Sequence, residues 1–143
     1  MEMFWISCRK NTTAKYWKGR YLWDGLLDSI KGREEEGKKL LKEAADEGNS
    51  DAQLRYAFTF KTILDKEENQ QIFMEYIKKA ASEGNNPTAQ FNLGDIYYKG
   101  KCNIPTDEDK GIKWLRKSAL RNYKKAIKLL KESGIDIYDV KKE

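Results

Sequence analysis

The apolar and small residues of this chain repeat as a block. Ala52-Gln53 and Ala89-Gln90 open similar segments 37 residues apart, Ala126 stands another 37 further on, and Ala14 lies 38 before Ala52. Five residues after each start comes a small residue, Gly19, Ala57 or Gly94, and eight after it a large one, Leu22, Phe60 or Tyr97. Late in each block the anchors Leu40, Tyr76 and Trp114 align, followed by Ala45, Ala81 and Ala119. A fixed period of this length marks stacked supersecondary units, because each unit can bury its apolar face only against its neighbour.

Each block reads as two antiparallel helices. The first of each pair is expected over 14–27, 51–64 and 88–100, and the second over 33–47, 67–83 and 107–121. Thr106 with Asp109, and Asp65 with Glu68, have the spacing of capping boxes. Asn86 before Pro87 predicts an N-cap followed by an N1 proline. Gly48, Gly84 and Asn122 stand where second helices should end, at positions that favour a left-handed residue. Gly94 and Ala119 mark a tight crossing, since paired helices approach closely only where no large side chain intervenes. Segment 123–134 is amphipathic through Ala126, Ile127, Leu129 and Leu130 and is expected to cap the last open face.

The stretch from Ala89 to Ala119 resembles a Sel-1-like repeat, a relative of the tetratricopeptide repeat. Ala89, Leu93, Gly94, Tyr97, Gly100, Asp107, Lys110, Trp114, Lys117 and Ala119 stand in the family's pattern positions. The departures are one extra loop residue near Cys102, Gly111 for the usual alanine and Ser118 for the first of two paired alanines. The resemblance covers about residues 14–126. It is closest in the third unit, looser in the second, which has Ala57 for glycine, and loosest in the first. It implies an all-α fold, a right-handed α/α superhelix of three helical-hairpin repeats with a C-terminal capping helix. The expected layout is an N-terminal arm over 1–13 and a repeat domain over 14–143, with units 14–51, 52–88 and 89–125 and a cap over 126–143. Such folds bind other proteins and carry no catalytic residues of their own.

Composition narrows the chemistry. There is no histidine, which removes the usual serine and cysteine triads, His-ligated zinc and a neutral-pH histidine base. Cys8 and Cys102 are too far apart in sequence for a CxxC motif, and two thiols make no disulfide framework, so a reducing, cytoplasmic setting is expected. The N-terminal apolar run, Met3 to Ile6, is too short and precedes its basic residues, unlike a secretory signal, and no stretch is long enough to span a membrane. Gly32 and Gly37 flank Arg33-Glu34-Glu35-Glu36 with no lysine in a P-loop position. Glu34 to Glu36 and Asp107 to Asp109 fall in first helical turns, where acids favour the helix dipole and need no metal. Neither a cofactor nor a metal nor a small-molecule substrate is expected, and the chain reads as a non-enzyme.

Charge is uneven. The net charge of +5 divides into +4 over residues 1–33, −6 over 34–109 and +7 over 110–143. In related helical-hairpin solenoids the first helices line the concave face, which the resemblance carries onto Tyr16, Arg20 and Trp23, then Leu54, Phe58 and Lys61, then Phe91, Asp95, Tyr98 and Lys99, with Lys128 from the cap. Aromatic groups beside cations are the usual material of protein-binding hot spots. The leading expectation is a protein-binding scaffold or adaptor whose partner is another protein, such as a toxin or a signalling component. The alternative is a stoichiometric inhibitor such as the immunity protein of a bacterial toxin, for which charge asymmetry gives fast capture. Nucleic-acid binding through the basic C-terminal region ranks third, for want of a reading motif. Phe4 and Trp5 of the arm are expected to fold back over the first hairpin.

Overall fold

The computed structural model describes residues 11–25 and 32–138. The expectations for Phe4, Trp5 and Cys8 lie outside those residues. Among the described residues there are seven α-helices and no strand: α1 (Thr12–Asp24), α2 (Glu34–Asp46), α3 (Ser50–Phe58), α4 (Glu67–Ser82), α5 (Pro87–Lys99), α6 (Glu108–Ala119) and α7 (Lys124–Glu132). They pack as the hairpins α1–α2, α3–α4 and α5–α6, each against the next, with α7 closing the last. This is an α/α solenoid.

Asparagine starts each first helix. Asn11, Asn49 and Asn86 stand three residues before Ala14, Ala52 and Ala89, and each side-chain oxygen accepts from that alanine's N–H, satisfying a donor that the first turn leaves open. Pro87 follows Asn86 at the start of α5, as its spacing predicts. The expected capping boxes do not form. Asp107, not Thr106, caps α6 by accepting from the Lys110 N–H, and α4 follows Lys66 with no side-chain cap. Aspartate one residue closer to the helix satisfies the same kind of donor, and Thr106 is left to face Gly100.

Helix α3 ends at Phe58, six residues before its expected end, and a 3₁₀ turn, Lys61–Ile63, follows it. Its siblings α1 and α5 run on to Gly25 and Gly100, which take left-handed conformations at φ 61° and 72°. The middle unit has no such glycine, and the Thr59 hydroxyl donates to the Tyr56 carbonyl at 2.6 Å, competing with the helical ladder. At the second-helix ends Gly48 and Asn122 are left-handed as expected, but the residue doing this work after α4 is Asn85, not Gly84. Gly84 has a different reason to be glycine. A Cβ there would stand 2.2 Å from the Ser50 Cβ.

The repeating Ala-Gln pair is a joint between units. Ala52, Ala89 and Ala126 are wholly buried, so each first helix lies directly on the hairpin before it. Gln53 Nε2 then donates to the Ala45 carbonyl and Gln90 Nε2 to the Ala81 carbonyl, both at 3.2 Å, tying off acceptors near the preceding helix end. The Ser118 hydroxyl donates across its hairpin to the Pro87 carbonyl at 2.7 Å, so serine in place of the paired alanine adds a bond that alanine cannot make. One apolar core runs from Tyr16 to Tyr97 through all three hairpins, and a second joins Leu115 and Ala119 of α6 to Ala126 and Leu130 of the cap.

Glycine pairs set the outer crossings. A Cβ on Gly94 would lie 2.9 Å from the Leu115 nitrogen and 3.0 Å from the Gly111 carbonyl oxygen, and one on Gly111 would lie 2.6 Å from the Tyr98 nitrogen. The first hairpin repeats this arrangement with Gly19 and Gly37. The middle hairpin has Ala57 and Phe73 instead, both buried.

Candidate protein-binding face

The three first helices present equivalent positions, so residues 37 or 38 apart should share one face. The sequence-derived candidates divide into two groups there. Tyr16 and Leu54 are buried, with 6% and 7% of their surface exposed, and belong to the core. Their apolar bulk packs against neighbouring helices, which corrects the expectation that they line a binding surface. Trp23 and Phe58 are half-buried against the main core, and Phe91 and Tyr98 against the cap core. Each keeps part of its ring at the surface.

The cations differ in how firmly they are held. Arg20 donates to the Tyr16 hydroxyl at 3.2 Å and pairs with Asp24 at 3.8 Å, within its own helix. Exposed Lys128 lies 3.8 Å from Glu132 on the cap. Lys61 stands over the Phe58 ring, its Nζ 3.9 Å from the centroid, an arrangement in which the ring's negative face attracts the ammonium. Burial there, and then repulsion from Lys125, Arg55 and Lys101, push the Lys61 pKa below the ordinary lysine value.

Asp95 is a clasp for its own neighbours. Its two oxygens lie 3.0 Å from Lys99 Nζ and 2.7 Å from Lys101 Nζ, which holds the loop after α5 against that helix. Burial alone would raise this carboxyl, but hydrogen bonds from Lys101 and Lys99 outweigh it and hold the group below the usual carboxylate range. A folded-state value below the unfolded one means that stabilisation is complete at neutral pH and is lost as the pH falls below about 3.8. Asp95→Asn should therefore be less stable than the parent at neutral pH and close that gap in acid. Urea unfolding at pH 7 and pH 3 measures this, and a gap of the same size at both would contradict the clasp. Asp46, which accepts from the Tyr76 hydroxyl at 2.7 Å, has its carboxyl lowered too, so the parent keeps some acid sensitivity after the change.

Trp17 and Tyr21 were not among the candidates, yet they are the most exposed aromatic residues of α1, at 40% and 36%. Trp17 stacks at a tilt between Tyr16 and Tyr21, with centroids 5.1 and 6.4 Å away, and the Arg20 guanidinium stands 5.6 Å above it. The available signal was positional. Three residues after the leading alanine, the other units carry Arg55 and Asn92, so an indole at this outward position was the anomaly.

The remaining chemistry is quiet. Among the described residues no group of three or more acidic or cysteine side chains could hold a metal ion. Glu34 to Glu36 fill the first turn of α2, and Glu108 and Asp109 that of α6. Cys102 is a free, half-buried thiol whose pKa burial pushes up, away from reactivity. It lines a shallow cleft of about 470 Å³ with Met74, Ile104 and the polar face of α4. No described helix is long and apolar enough to cross a membrane.

The model of the Sel1 repeat family matches residues 14–49, 87–123 and 119–134. The chain belongs to the Sel1 repeat family. The third match shows the cap as the opening of a further repeat. Residues 50–86 fall outside the matches, so the middle unit, not the first, departs most from the family pattern; the glycine pairs of the outer hairpins and their absence between Ala57 and Phe73 give the structural counterpart. A Sel1 repeat protein from Oxalobacter formigenes has a similar crystal structure, with TM-score 0.77 and 23% identity over 92% of this chain and 96% of that one. A protective antigen present in uropathogenic Escherichia coli strains, displaying an SLR fold, gives TM-score 0.78 and 24% identity over 94% of this chain but 29% of its own. No curated protein matches this chain in sequence. Sel1 repeats generally serve as scaffolds for protein–protein interaction, and Sel1-repeat proteins are typically non-enzymatic.

Proposed function

We propose that this Sel1 repeat chain is an adaptor that binds a partner protein along the face of its first helices. The observation that carries the reading is the set of half-buried aromatic groups on the first helices, Trp23, Phe58, Phe91 and Tyr98, with Lys61 over the Phe58 ring. Aromatic rings anchored on one side and wet on the other supply contact area at small entropic cost, while cations steer approach. A reducing, cytoplasmic setting suits the free Cys102 thiol.

A partner isolated with the intact chain and cross-linked through lysines should link to Lys61 and Lys99. Trp23→Ala and Tyr98→Ala should each weaken that complex by about 2 kcal/mol, mainly through faster dissociation. Melting curves must show both variants folded at the assay temperature. A stoichiometric inhibitor of the immunity-protein kind, gripping its target by the basic C-terminal surface, would instead lose affinity on changing Lys124, Lys125 and Lys128. Cross-links confined to that surface, with the aromatic variants at full affinity, would replace the adaptor reading by the inhibitor one.

A further inference from the structure

Seven residues after each leading alanine, two helical turns along the same face, stand Tyr21, Thr59 and Ile96. Thr59 and Ile96 are 2% and 4% exposed, on helices that lie directly against the hairpin before them. Among the described residues no hairpin stands before α1, and Tyr21 is 36% exposed there. Trp17, 40% exposed, packs against it with 6.4 Å between ring centroids. An aromatic pair thus sits on the side of α1 that the later units bury.

The far end of the stack is an unfinished repeat, since the last family match covers only 119–134. Lys131 stands where α5 has Gly94, and Gly94 leaves no room for even a Cβ against α6. A second helix therefore cannot close on α7 as α6 closes on α5. The chain after α7 turns back instead. Ile135 and Ile137 pack on the cap core, and the Arg116 Nε donates to the Asp136 carbonyl at 2.9 Å. Leu120, one turn beyond Arg116, and Tyr138, two residues beyond Asp136, remain 57% and 76% exposed at that end. Five large apolar side chains are exposed among the described residues, and these two pairs are four of them. Scattered singly they would need no explanation, but a pair at each end of a stack does.

We infer that copies of this chain associate head to tail, with Trp17 and Tyr21 of one copy packed against Leu120 and Tyr138 of the next. The contact continues the joint that stacks one hairpin on another within the chain. Charge permits it and selects the pairing. Residues 11–25 and 32–47 hold seven cations and seven carboxylates, so the +7 of residues 110–143 meets a neutral hairpin. Two C-terminal ends brought together would instead repel. Because each copy uses a different patch, the contact is heterologous and does not stop at two. A stack of copies would carry the first-helix face from one chain into the next.

Sedimentation velocity on the full chain tests this at concentrations up to about 0.5 mM, the weak end of specific association. The parent should show species that grow past a dimer as concentration rises. A Trp17→Ser, Tyr21→Ser variant and a Leu120→Ser, Tyr138→Ser variant should each stay monomeric. Mixed in equal amounts they should form a dimer and nothing larger, because one intact head and one intact tail remain; that recovery also shows both variants folded. Tyr21→Phe and Tyr138→Phe keep the rings and should associate as the parent does. Added salt should preserve or tighten the association, since the contact is apolar and screening only removes repulsion. A mixture that stays monomeric, association surviving in either serine variant, its loss in the phenylalanine variants, or dissociation by salt each overturns the inference. A parent that stays monomeric throughout gives these faces to another occupant, residues 1–10 or a partner protein, and overturns it too.

Discussion

Gly94→Leu is expected to destabilise the protein by roughly 3 kcal/mol or more, the upper range for an overpacked core. Two effects compete at this position. Replacing a helical glycine gains up to about 1 kcal/mol in helix propensity, because glycine loses the most conformational freedom. Against that, the added Cβ alone would stand 2.8 Å from the Leu115 Cγ, 2.9 Å from the Leu115 nitrogen and 3.0 Å from the Gly111 oxygen. Two of those three atoms are backbone and cannot rotate away, so α5 and α6 must separate along their crossing. The steric cost should win. Gly100→Ala should cost less, about 1 kcal/mol for the left-handed backbone. The new Cβ also meets the Thr106 Oγ1 at 2.4 Å, an atom that can swing aside. Thermal melts of both variants decide the matter. A Gly94→Leu protein melting with the parent would mean that α5 and α6 do not cross where the glycine pair lies.

Leu130→Ala should cost about 2–5 kcal/mol through lost burial and the cavity left behind. Leu130 is fully buried, and its cluster is small, with Leu115, Ala119 and Ala126 as the other wholly enclosed members. So small a core has few side chains that can move in to fill the space. The cap also covers the half-buried Phe91 and Tyr98, and the Phe91 ring lies 5.3 Å from that of Tyr123. Hydrogen exchange should therefore speed up in α6 and α5 as well as α7. Loss of protection confined to α7 would show the cap to be a separate unit and not the seal of the third hairpin.

Much of this architecture was legible before any coordinates. The 37-residue period, carried by Ala52, Ala89 and Ala126, determined the number of hairpins and which residues meet at their joints, because a buried position with no room for a larger side chain admits few alternatives. Asn86-Pro87, Gly48 and Asn122 announced helix ends through backbone conformations that few other residues support. The middle unit was harder to read. Its first helix stops at Phe58 because Thr59 bonds back to Tyr56 and no glycine offers a left-handed exit, a competition between hydrogen bonds too local for the repeat pattern to show. The glycine pair of the first hairpin was visible in the sequence, but its meaning depended on knowing that Gly19 and Gly37 face each other.

The candidate site was less legible than the fold. Helical spacing puts Tyr16 and Phe58 on related faces, yet whether a ring is swallowed by the core or left at the surface depends on how closely the adjoining hairpin packs, and that distance is not written in either helix. The sequence by itself determined a stack of three helical hairpins with a closing helix, because period and small residues constrain what can pack. Only the tertiary structure decided that Tyr16 and Leu54 are core, that Asp95 is taken by Lys99 and Lys101, and that Lys61 lies over the Phe58 ring. Burial and electrostatic neighbourhood arise between segments far apart in the chain, and no local pattern encodes them.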